Sequence, residues 1–232
     1  MRSRLLRAFL FLAGTALAFG LYSGRLSVPD PWNPWAPLRI EESIGWLTRY
    51  KLSRLSAHPP SCLAALEDTG FRYTAVPDRE TGPGCGFRNA VRVQATDVKL
   101  SEPFTLSCRS TVALALWERH VLQQAALARL GVRVTALEHA GTYACRNIYG
   151  RKDAPLSRHS TADAIDITGF VLESGRRLRI EREWGSTDAD GAFLRDVRDG
   201  ACRVFDTVLG PDYNAAHRNH FHLDRGGWRV CR

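Results

Sequence analysis

The stretch AIDITGFV, residues 164–171, decides the fold of this chain. Its isoleucines alternate with polar or small residues, which is the period-two pattern of a strand with one buried face. A turn-forming run at 173–175 follows, so residues 178–183 can return as a paired strand. The sequence therefore predicts an antiparallel hairpin that carries Asp166 on its first strand, between two isoleucines.

The segments around this hairpin predict several helices and further strands. Apolar residues recur at helical spacing in four segments, and Gly131 and Gly210 provide helix ends. The predicted helices cover residues 41–55, 61–67, 110–130 and 192–209, and further strands are predicted within 86–106, 132–137 and 219–224. Strands mixed with segregated helices favour an α+β domain, with a small antiparallel sheet flanked by helices.

The N-terminus carries a membrane-targeting pattern. Arg2, Arg4 and Arg7 precede an uncharged apolar run at 8–22, as in the basic and apolar regions of a signal peptide. A helix of this length covers roughly 22 Å, which is less than the ~30 Å hydrocarbon core of a bilayer. Cleavage after the Ala-Leu-Ala sequence at 16–18 is therefore one alternative.

An uncleaved anchor is the other alternative, and the sequence slightly favours it. Trp32 and Trp35 lie where an interfacial aromatic belt is expected. We expect a signal segment or membrane anchor over residues 1–25, a Pro- and Trp-rich linker with a short helix over 26–60, and a catalytic domain over 61–232. The domain is then exported: it lies at the periplasmic face of the inner membrane, or free in the periplasm if the N-terminal segment is cleaved.

Cysteine content and charge agree with export and limit the partners. Six cysteines occur without a Cys-x-x-Cys pair, which predicts disulfides. Sequence alone permits many connectivities, and one hypothesis pairs neighbours along the chain: Cys62 with Cys85, Cys108 with Cys145 and Cys202 with Cys231. The formal charge of +8 favours an anionic wall polymer or anionic lipid. Nucleic acid is not expected, because the basic residues are scattered without a basic block or interleaved aromatic residues.

A histidine cluster near the C-terminus predicts a metal or proton-transfer site. His217, His220 and His222 lie within HRNHFHLD, residues 217–224, and a strand would put His220 and His222 on one face. Asp166 needs a strong partner, because a buried unpaired carboxylate is costly. His159, in a loop before the same strand, would complete a two-histidine, one-carboxylate set with Asp166 and His222, which leaves the open position that catalytic zinc requires. The alternatives are an arginine partner for Asp166 and a solvated strand face for the histidines.

Two family resemblances rest on these residues. His159-x6-Asp166 followed by His220-x-His222 resembles the LAS-type zinc peptidases, a group that includes D-alanyl-D-alanine carboxypeptidases and murein endopeptidases, and HRNHFH resembles the murein endopeptidase form. Residues 62–232 also resemble the extensin-like C-terminal domain of bacterial proteins, through TYACRNIYGR, GPDYNAAHRNHFHLD and the cysteines. The first resemblance implies a small α+β peptidase domain with an antiparallel sheet.

The resemblance also implies roles for individual residues. His159, Asp166 and His222 would hold Zn²⁺. His220 would take a proton from the activated water and pass it to the leaving amine, while His217 would orient a group or contact the substrate.

One further candidate residue, Arg146, and two departures from the family pattern bear on the proposed chemistry. Arg146, in CRNIYGR, is interpreted as a planar donor that polarises the scissile carbonyl or holds a substrate carboxylate; a plain surface arginine is the alternative. Asn219 stands where many LAS enzymes have an acidic general base, so the base would be His220, or Glu181 or Glu183, or absent. Ala162 replaces a usual glycine, which matters if that position needs a positive φ.

Two functions fit these features. The first is a zinc-dependent peptidase or amidase that acts on peptidoglycan stem peptides. The second is a non-catalytic, zinc-stabilised module that binds the cell wall, which Asn219 favours. A structural protein without a metal is a third hypothesis.

Overall fold

The computed structural model describes residues 2–226 and 228–232, except for the side chain of Arg2. Met1, Gly227 and the Arg2 side chain, which belongs to the predicted basic N-terminal region, lie outside the described residues. The chain divides into two compact units, Met1–Ala36 and Pro37–Arg232.

The first unit is built around one apolar helix. Helix α1 spans Arg2–Tyr22. Its Ser3–Tyr22 portion has a mean hydropathy of 1.7 and is almost entirely exposed. Twenty residues of helix extend roughly 30 Å, so the helix is longer than the apolar run alone predicts. Its length and composition suit a membrane-spanning helix or a signal sequence, and together with the disulfides described below they point to an exported protein.

The second unit contains the strands of the described residues and the remaining α-helices. Helices α2 to α7 are Thr48–Arg54, Pro59–Glu67, Cys108–Trp117, Gln123–Leu130, Ile180–Glu183 and Ala189–Ala201. Strands β1 to β12 are Arg72–Val76, Arg79–Gly82, Cys85–Phe87, Ala90–Ala95, Lys99–Leu100, Phe104–Ser107, Val134–Gly141, Ala164–Leu172, Arg177–Arg179, Thr207–Leu209, Phe221–Asp224 and Val230–Cys231.

A mixed but mainly antiparallel sheet forms the framework of this unit. Its strand order is β12-β10-β11-β8-β7-β5, with β9 also paired to β8. Only the outer pairs β10–β12 and β5–β7 are parallel. A three-stranded sheet, β1-β4-β6, and the hairpin β2–β3 complete the strands. The predicted α+β class with small antiparallel sheets flanked by helices is confirmed.

The core lies between one face of the large sheet and the helices. Ile165 and Ile167 on β8 are fully buried, and the Phe170 ring contacts Trp117 of α4 and Phe193 of α7 at centroid distances of 6.3 and 5.4 Å. Leu52 of α2 belongs to the same buried cluster. Asp166 lies between the two isoleucines and points to the opposite face of the sheet, because side chains alternate along a strand. Thr168 is an extra residue in the pairing of β8 with β7, and this irregularity returns Phe170 to the core face.

Three local predictions differ from the structure. The segment predicted as one helix over 192–209 ends at Ala201, and Thr207–Leu209 is instead strand β10, which pairs with β11. The predicted return strand over 178–183 turns into helix α6 at Ile180. The helix predicted from residue 41 begins only at Thr48.

The long predicted helix over 110–130 is confirmed. It consists of α4 and α5 joined by a π-helical turn at Glu118–Leu122, and Gly131 ends it with a φ of 69°. A left-handed residue at this position is the common way to end a helix.

Three disulfides link the second unit, and they correct part of the pairing hypothesis. The pairs are Cys62–Cys108, Cys85–Cys145 and Cys202–Cys231. Only the last pair joins sequence neighbours; the first two cross, because α3 packs against α4 and the β2–β3 hairpin lies beside the loop after β7. The prediction that the cysteines form disulfides is confirmed.

Candidate metal centre

Strand pairing brings Asp166 and His222 together. Strands β8 and β11 are antiparallel, and their register sets His222 directly opposite Asp166. The neighbouring residue Phe221 is fully buried in the core, so His222 faces the other side of the sheet with Asp166. The period-two pattern predicts this arrangement correctly.

A short turn before β8 supplies the third residue. His159 lies in the 3₁₀ turn Arg158–Thr161, where its backbone N–H donates to Ser157 Oγ at 3.3 Å. Ala162 then adopts a left-handed conformation, with φ 52° and ψ 33°. The backbone reversal that directs the chain from His159 into β8 therefore needs the positive φ that glycine tolerates best.

The three side chains converge on one point. His159 Nε2 lies 3.1 Å from Asp166 Oδ2 and 3.2 Å from His222 Nδ1. His222 Nδ1 lies 2.9 Å from Asp166 Oδ1. One ligand atom from each residue lies within 4.8 Å of the others, so this buried group could bind a metal ion.

Hydrogen bonds on the outer side of each imidazole fix which nitrogen faces the centre. His159 Nδ1 donates to the Thr142 carbonyl at 3.0 Å, which leaves Nε2 for the cluster. His222 Nε2 donates to Asp224 Oδ2 at 3.0 Å, which leaves Nδ1 for the cluster. Metal-binding histidines usually have such a partner on the other ring nitrogen. A cation that displaces the protons held between these ring nitrogens and Asp166 would meet two imidazole nitrogens and a carboxylate.

The shifted pKa values of Asp166 and His222 indicate that the cluster stabilises a positive charge. Burial opposes the charged form of Asp166, but hydrogen bonds from His159 and His222 outweigh it and hold the pKa of this carboxyl well below its usual range. Burial lowers the pKa of His222, but hydrogen bonds to Asp166 and Asp224 outweigh it and raise that pKa to about 9. The protein environment therefore favours a positive charge between the carboxylates. Imidazole nitrogens and a carboxylate oxygen are ligand types that zinc accepts in proteins.

His220 lies beside this cluster, as predicted. Its Nε2 is 3.6 Å from Asp166 Oδ1, and its Nδ1 is 2.8 Å from Asn219 Oδ1. Burial, followed by the positive charges of His222, His159 and Arg146, lowers the pKa of His220 against the opposing effect of Asp166. The ring is thus kept neutral near pH 7, with Nε2 towards the cluster.

His217 is also brought to the site, in a neutral state. Its ring centroid lies 5.2 Å from that of His220 and 6.0 Å from that of His222. Burial and the neighbouring charges of His220 and His222 lower its pKa to about 4. Nδ1 lies 2.8 Å from Asn214 Oδ1. This amide oxygen accepts the Nδ1 proton, so Nε2 carries the lone pair.

Asn214 and Tyr149 form a support that sequence reasoning missed. Asn214 Nδ2 donates to Tyr149 Oη at 2.8 Å while its Oδ1 serves His217. Tyr149 has a φ of 56°, which is rare for a bulky residue and concentrates at functional sites. The signal was within GPDYNAAHRNHFHLD, where Asn214 precedes His217 by three residues.

Arg146 is exposed in the loop that carries Tyr149. Its charge contributes to the lowered pKa of both His217 and His220, after the larger effects of burial and of the neighbouring groups. The loop is fixed at its start by the Cys85–Cys145 disulfide, and its end is fixed by the hydrogen bond from the Ser157 N–H to the Arg146 carbonyl at 3.0 Å.

The suggested alternative bases take other partners. Glu181 pairs with Arg218 at 3.6 Å, and Glu183 accepts the Arg179 N–H at 2.7 Å. Asp224 is the carboxylate that sequence reasoning missed, although the period of two that joins His220 and His222 extends to it. Its role depends on which ring nitrogen of His222 is protonated, and the sequence does not indicate that.

Comparison with known proteins gives one match. A family model described as extensin-like protein C-terminus matches residues 60–232, a range that contains every residue of the candidate centre. No curated protein and no solved structure matches the chain significantly.

Proposed function

We propose, from the premise that this chain belongs to the extensin-like protein C-terminus family, that it is an exported zinc-dependent peptidase or amidase acting on the stem peptides of peptidoglycan. One observation carries the proposal: His159 Nε2, His222 Nδ1 and the Asp166 carboxylate converge with their outer hydrogen bonds already made. Three protein ligands leave a fourth tetrahedral position open, which is typical of catalytic rather than structural zinc.

His159, Asp166 and His222 would hold the zinc ion. When bound, zinc supplies a Lewis acid that polarises a carbonyl and lowers the pKa of a water molecule. Thr142 and Asp224 keep both imidazoles in the required tautomer, and this preorganisation removes a rearrangement that binding would otherwise require.

His220 is the proposed proton acceptor. Its Nδ1–H donates to Asn219 Oδ1, so the Nε2 lone pair is directed at the cluster. Its lowered pKa keeps it neutral at pH 7 and able to accept a proton from water, and the same nitrogen can then protonate the leaving amine. Asn219 thus orients the base instead of replacing it.

His217 and Arg146 are the proposed substrate-side residues. His217 Nε2 has a lone pair and can accept a hydrogen bond from a substrate amide N–H. The exposed guanidinium of Arg146 can hold a substrate carboxylate or a polarised carbonyl, since it presents a planar fork of donors.

The location proposed for this activity is the periplasmic face of the inner membrane. Helix α1 can serve as the anchor or as a cleaved signal, and the three disulfides require an oxidising compartment. The formal charge of +8 favours contact with an anionic wall.

Metal content and muropeptide digestion test the proposal. The full chain, purified without added metal, is expected to contain one zinc per molecule, and H222A is expected to contain little. H220A is expected to keep its zinc and lose hydrolysis, measured by mass spectrometry of digested muropeptides. H58A, at an exposed histidine before α3, is the matched control and is expected to keep both properties.

Other outcomes separate the competing functions. Zinc binding and retention on purified sacculi, without hydrolysis in the wild type, would favour the non-catalytic wall-binding module that the amide at position 219 suggests. Full hydrolysis by H220A would refute the role of His220. No zinc in the wild type, even after zinc is offered, would refute the metal site.

A further inference from the structure

Three large aromatic side chains of the second unit are exposed. Two lie near its N-terminal end and one lies just before its last strand. The exposed fraction is 71% for Trp46, 48% for Tyr50 and 80% for Trp228. Tryptophan is seldom left so accessible unless it contacts another surface.

Two segments carry these aromatic residues: residues 44–50 contain Trp46 and Tyr50, and residues 228–230 contain Trp228. Both segments form hydrogen bonds with the stretch from residue 203 to the start of β10. From the first segment, Arg49 donates to the Phe205 carbonyl, and the Ile44 carbonyl accepts from Arg203 Nη2 at 2.7 Å. From the second segment, the Trp228 carbonyl accepts from Thr207 Oγ1 at 2.8 Å. The two segments that carry the tryptophans therefore border the same stretch of chain.

The charge of this region is positive. Arg203 and Arg229 are exposed within it, and the charge of Arg229 affects the pKa of Arg49. The nearby acid Asp206 is already paired with Arg49 and with the buried Arg225, the latter at 3.1 Å. Among the described residues, neither Arg203 nor Arg229 forms an ion pair with a carboxylate. We call Trp46, Tyr50, Trp228, Arg203 and Arg229 the Trp/Arg face.

The first part of this face lies away from the candidate metal centre. Helix α2, which follows Trp46 and carries Tyr50, packs against α4, and α4 covers the sheet face of Ile165. Asp166 points to the other face of the sheet. A partner bound at Trp46 and Tyr50 therefore lies on the side of the sheet opposite to Asp166.

We propose that the Trp/Arg face docks on the surface of an anionic lipid bilayer. Tryptophan and tyrosine are the aromatic residues enriched at membrane–water interfaces, and arginine is attracted by anionic lipid headgroups. The same chain carries a helix long and apolar enough to cross a membrane. If that helix is retained, the short segment that joins it to residue 37 holds the second unit at high effective concentration near the lipid, so that even a weak contact is populated.

Quenching of tryptophan fluorescence by brominated lipid tests this docking on the full chain. The protein is placed in nanodiscs of phosphatidylcholine, with or without phosphatidylglycerol, and the variant W32F/W35F is used to remove the tryptophans of the first unit. We expect lipid brominated in the acyl chain to quench this variant in anionic discs. Further replacement of Trp46 and Trp228 by phenylalanine should abolish that quenching. Of the two tryptophans that then remain, Trp117 is fully buried in the core, and Trp184 is half-buried with its Nε1 donating to Asp212.

Charge variants test the arginine contribution. One arginine near an anionic bilayer contributes about a fivefold shift in binding, so R229Q should lower the ratio of docked to undocked protein about fivefold. R151Q, at an exposed arginine in the loop after Arg146, should leave the ratio unchanged. Identical quenching with and without Trp46 and Trp228 would overturn the proposal, and so would equal quenching of these residues in neutral and anionic discs. The first result would leave the anionic wall polymer as the occupant of this face.

Discussion

Replacement of Asp224 by asparagine is expected to weaken zinc binding at the proposed centre tenfold to a hundredfold, although Asp224 is not one of the three proposed ligands. Asp224 Oδ2 accepts the Nε2 proton of His222 at 3.0 Å, and its Oδ1 accepts the Gly226 N–H at 2.8 Å. Loss of an outer partner of this kind typically costs about 10–100-fold in metal affinity, which corresponds to about 1.4–2.8 kcal/mol.

The structure gives a reason why asparagine is the informative replacement. The Gly226 N–H requires an acceptor, so the amide oxygen of Asn would stay on Gly226 and its NH₂ group would face His222 Nε2. That contact moves the imidazole proton to Nδ1, towards Asp166, where the metal lone pair is needed. D224A removes the acceptor without supplying a competing donor, so D224N is expected to be at least as damaging as D224A.

Competition with a chromophoric zinc chelator measures the dissociation constants of the wild type, D224A and D224N. Circular dichroism and a thermal melt of the metal-free proteins check that the fold is retained. A D224N protein that is folded and binds zinc as tightly as the wild type would refute the assignment of Nδ1 as the ligand atom of His222.

Further measurements test the disulfides, the left-handed turn and the buried histidine. Thiol titration of the denatured, unreduced protein should find no free thiol, and peptide mapping should recover the crossed pairs. In urea unfolding, A162G should remain within about 1 kcal/mol of the wild type, because relief of the left-handed conformation (about 1–2 kcal/mol) offsets the loss of a buried methyl group (about 0.8 kcal/mol), whereas A162V should lose stability and zinc affinity. The pKa of His217 is lowered from 6.5 to about 4, so between these values the unfolded chain binds more protons than the folded chain and stability should fall as pH decreases. In H217Q, this contribution to the pH dependence should be absent.

The sequence predicts the part of the site that depends on local periodicity. Alternation in AIDITGFV and in the strand containing His222 determines which side chains share a face, and strand pairing then needs only the correct register. The position of His159 is harder to predict from the sequence, because the turn and the positive φ of Ala162 bring its side chain to Asp166. The sequence pattern places His159 only in a loop before the strand, as the third member of the set, and the family resemblance then implies its role as a ligand.

Where tertiary contacts decide the structure, the sequence misleads. Residues 204–209 are apolar enough for a helix or a strand, and pairing of Thr207–Leu209 with β11 selects the strand. The first two disulfides likewise depend on which elements pack together, and no local pattern specifies that the third helix lies against the fourth. Residues 38–55 add Leu38, Ile40 and Leu52 to the core, although the prolines that precede them and their own short helical pattern predict a linker.

The sequence motif does not specify which nitrogen of each imidazole faces Asp166. A His-x-His motif is satisfied by either nitrogen of either ring, and the sequence spacing does not distinguish them. In this fold the choice is made by two acceptors outside the motif, the Thr142 carbonyl and the Asp224 carboxylate, which take opposite nitrogens of His159 and His222. The two rings therefore approach Asp166 through Nε2 and Nδ1 respectively, and this asymmetry allows a ligand from a turn and a ligand from a strand to meet at one point. A chain that kept His159, Asp166 and His222 but lost these acceptors would keep the motif, and we expect it to bind the proposed metal poorly.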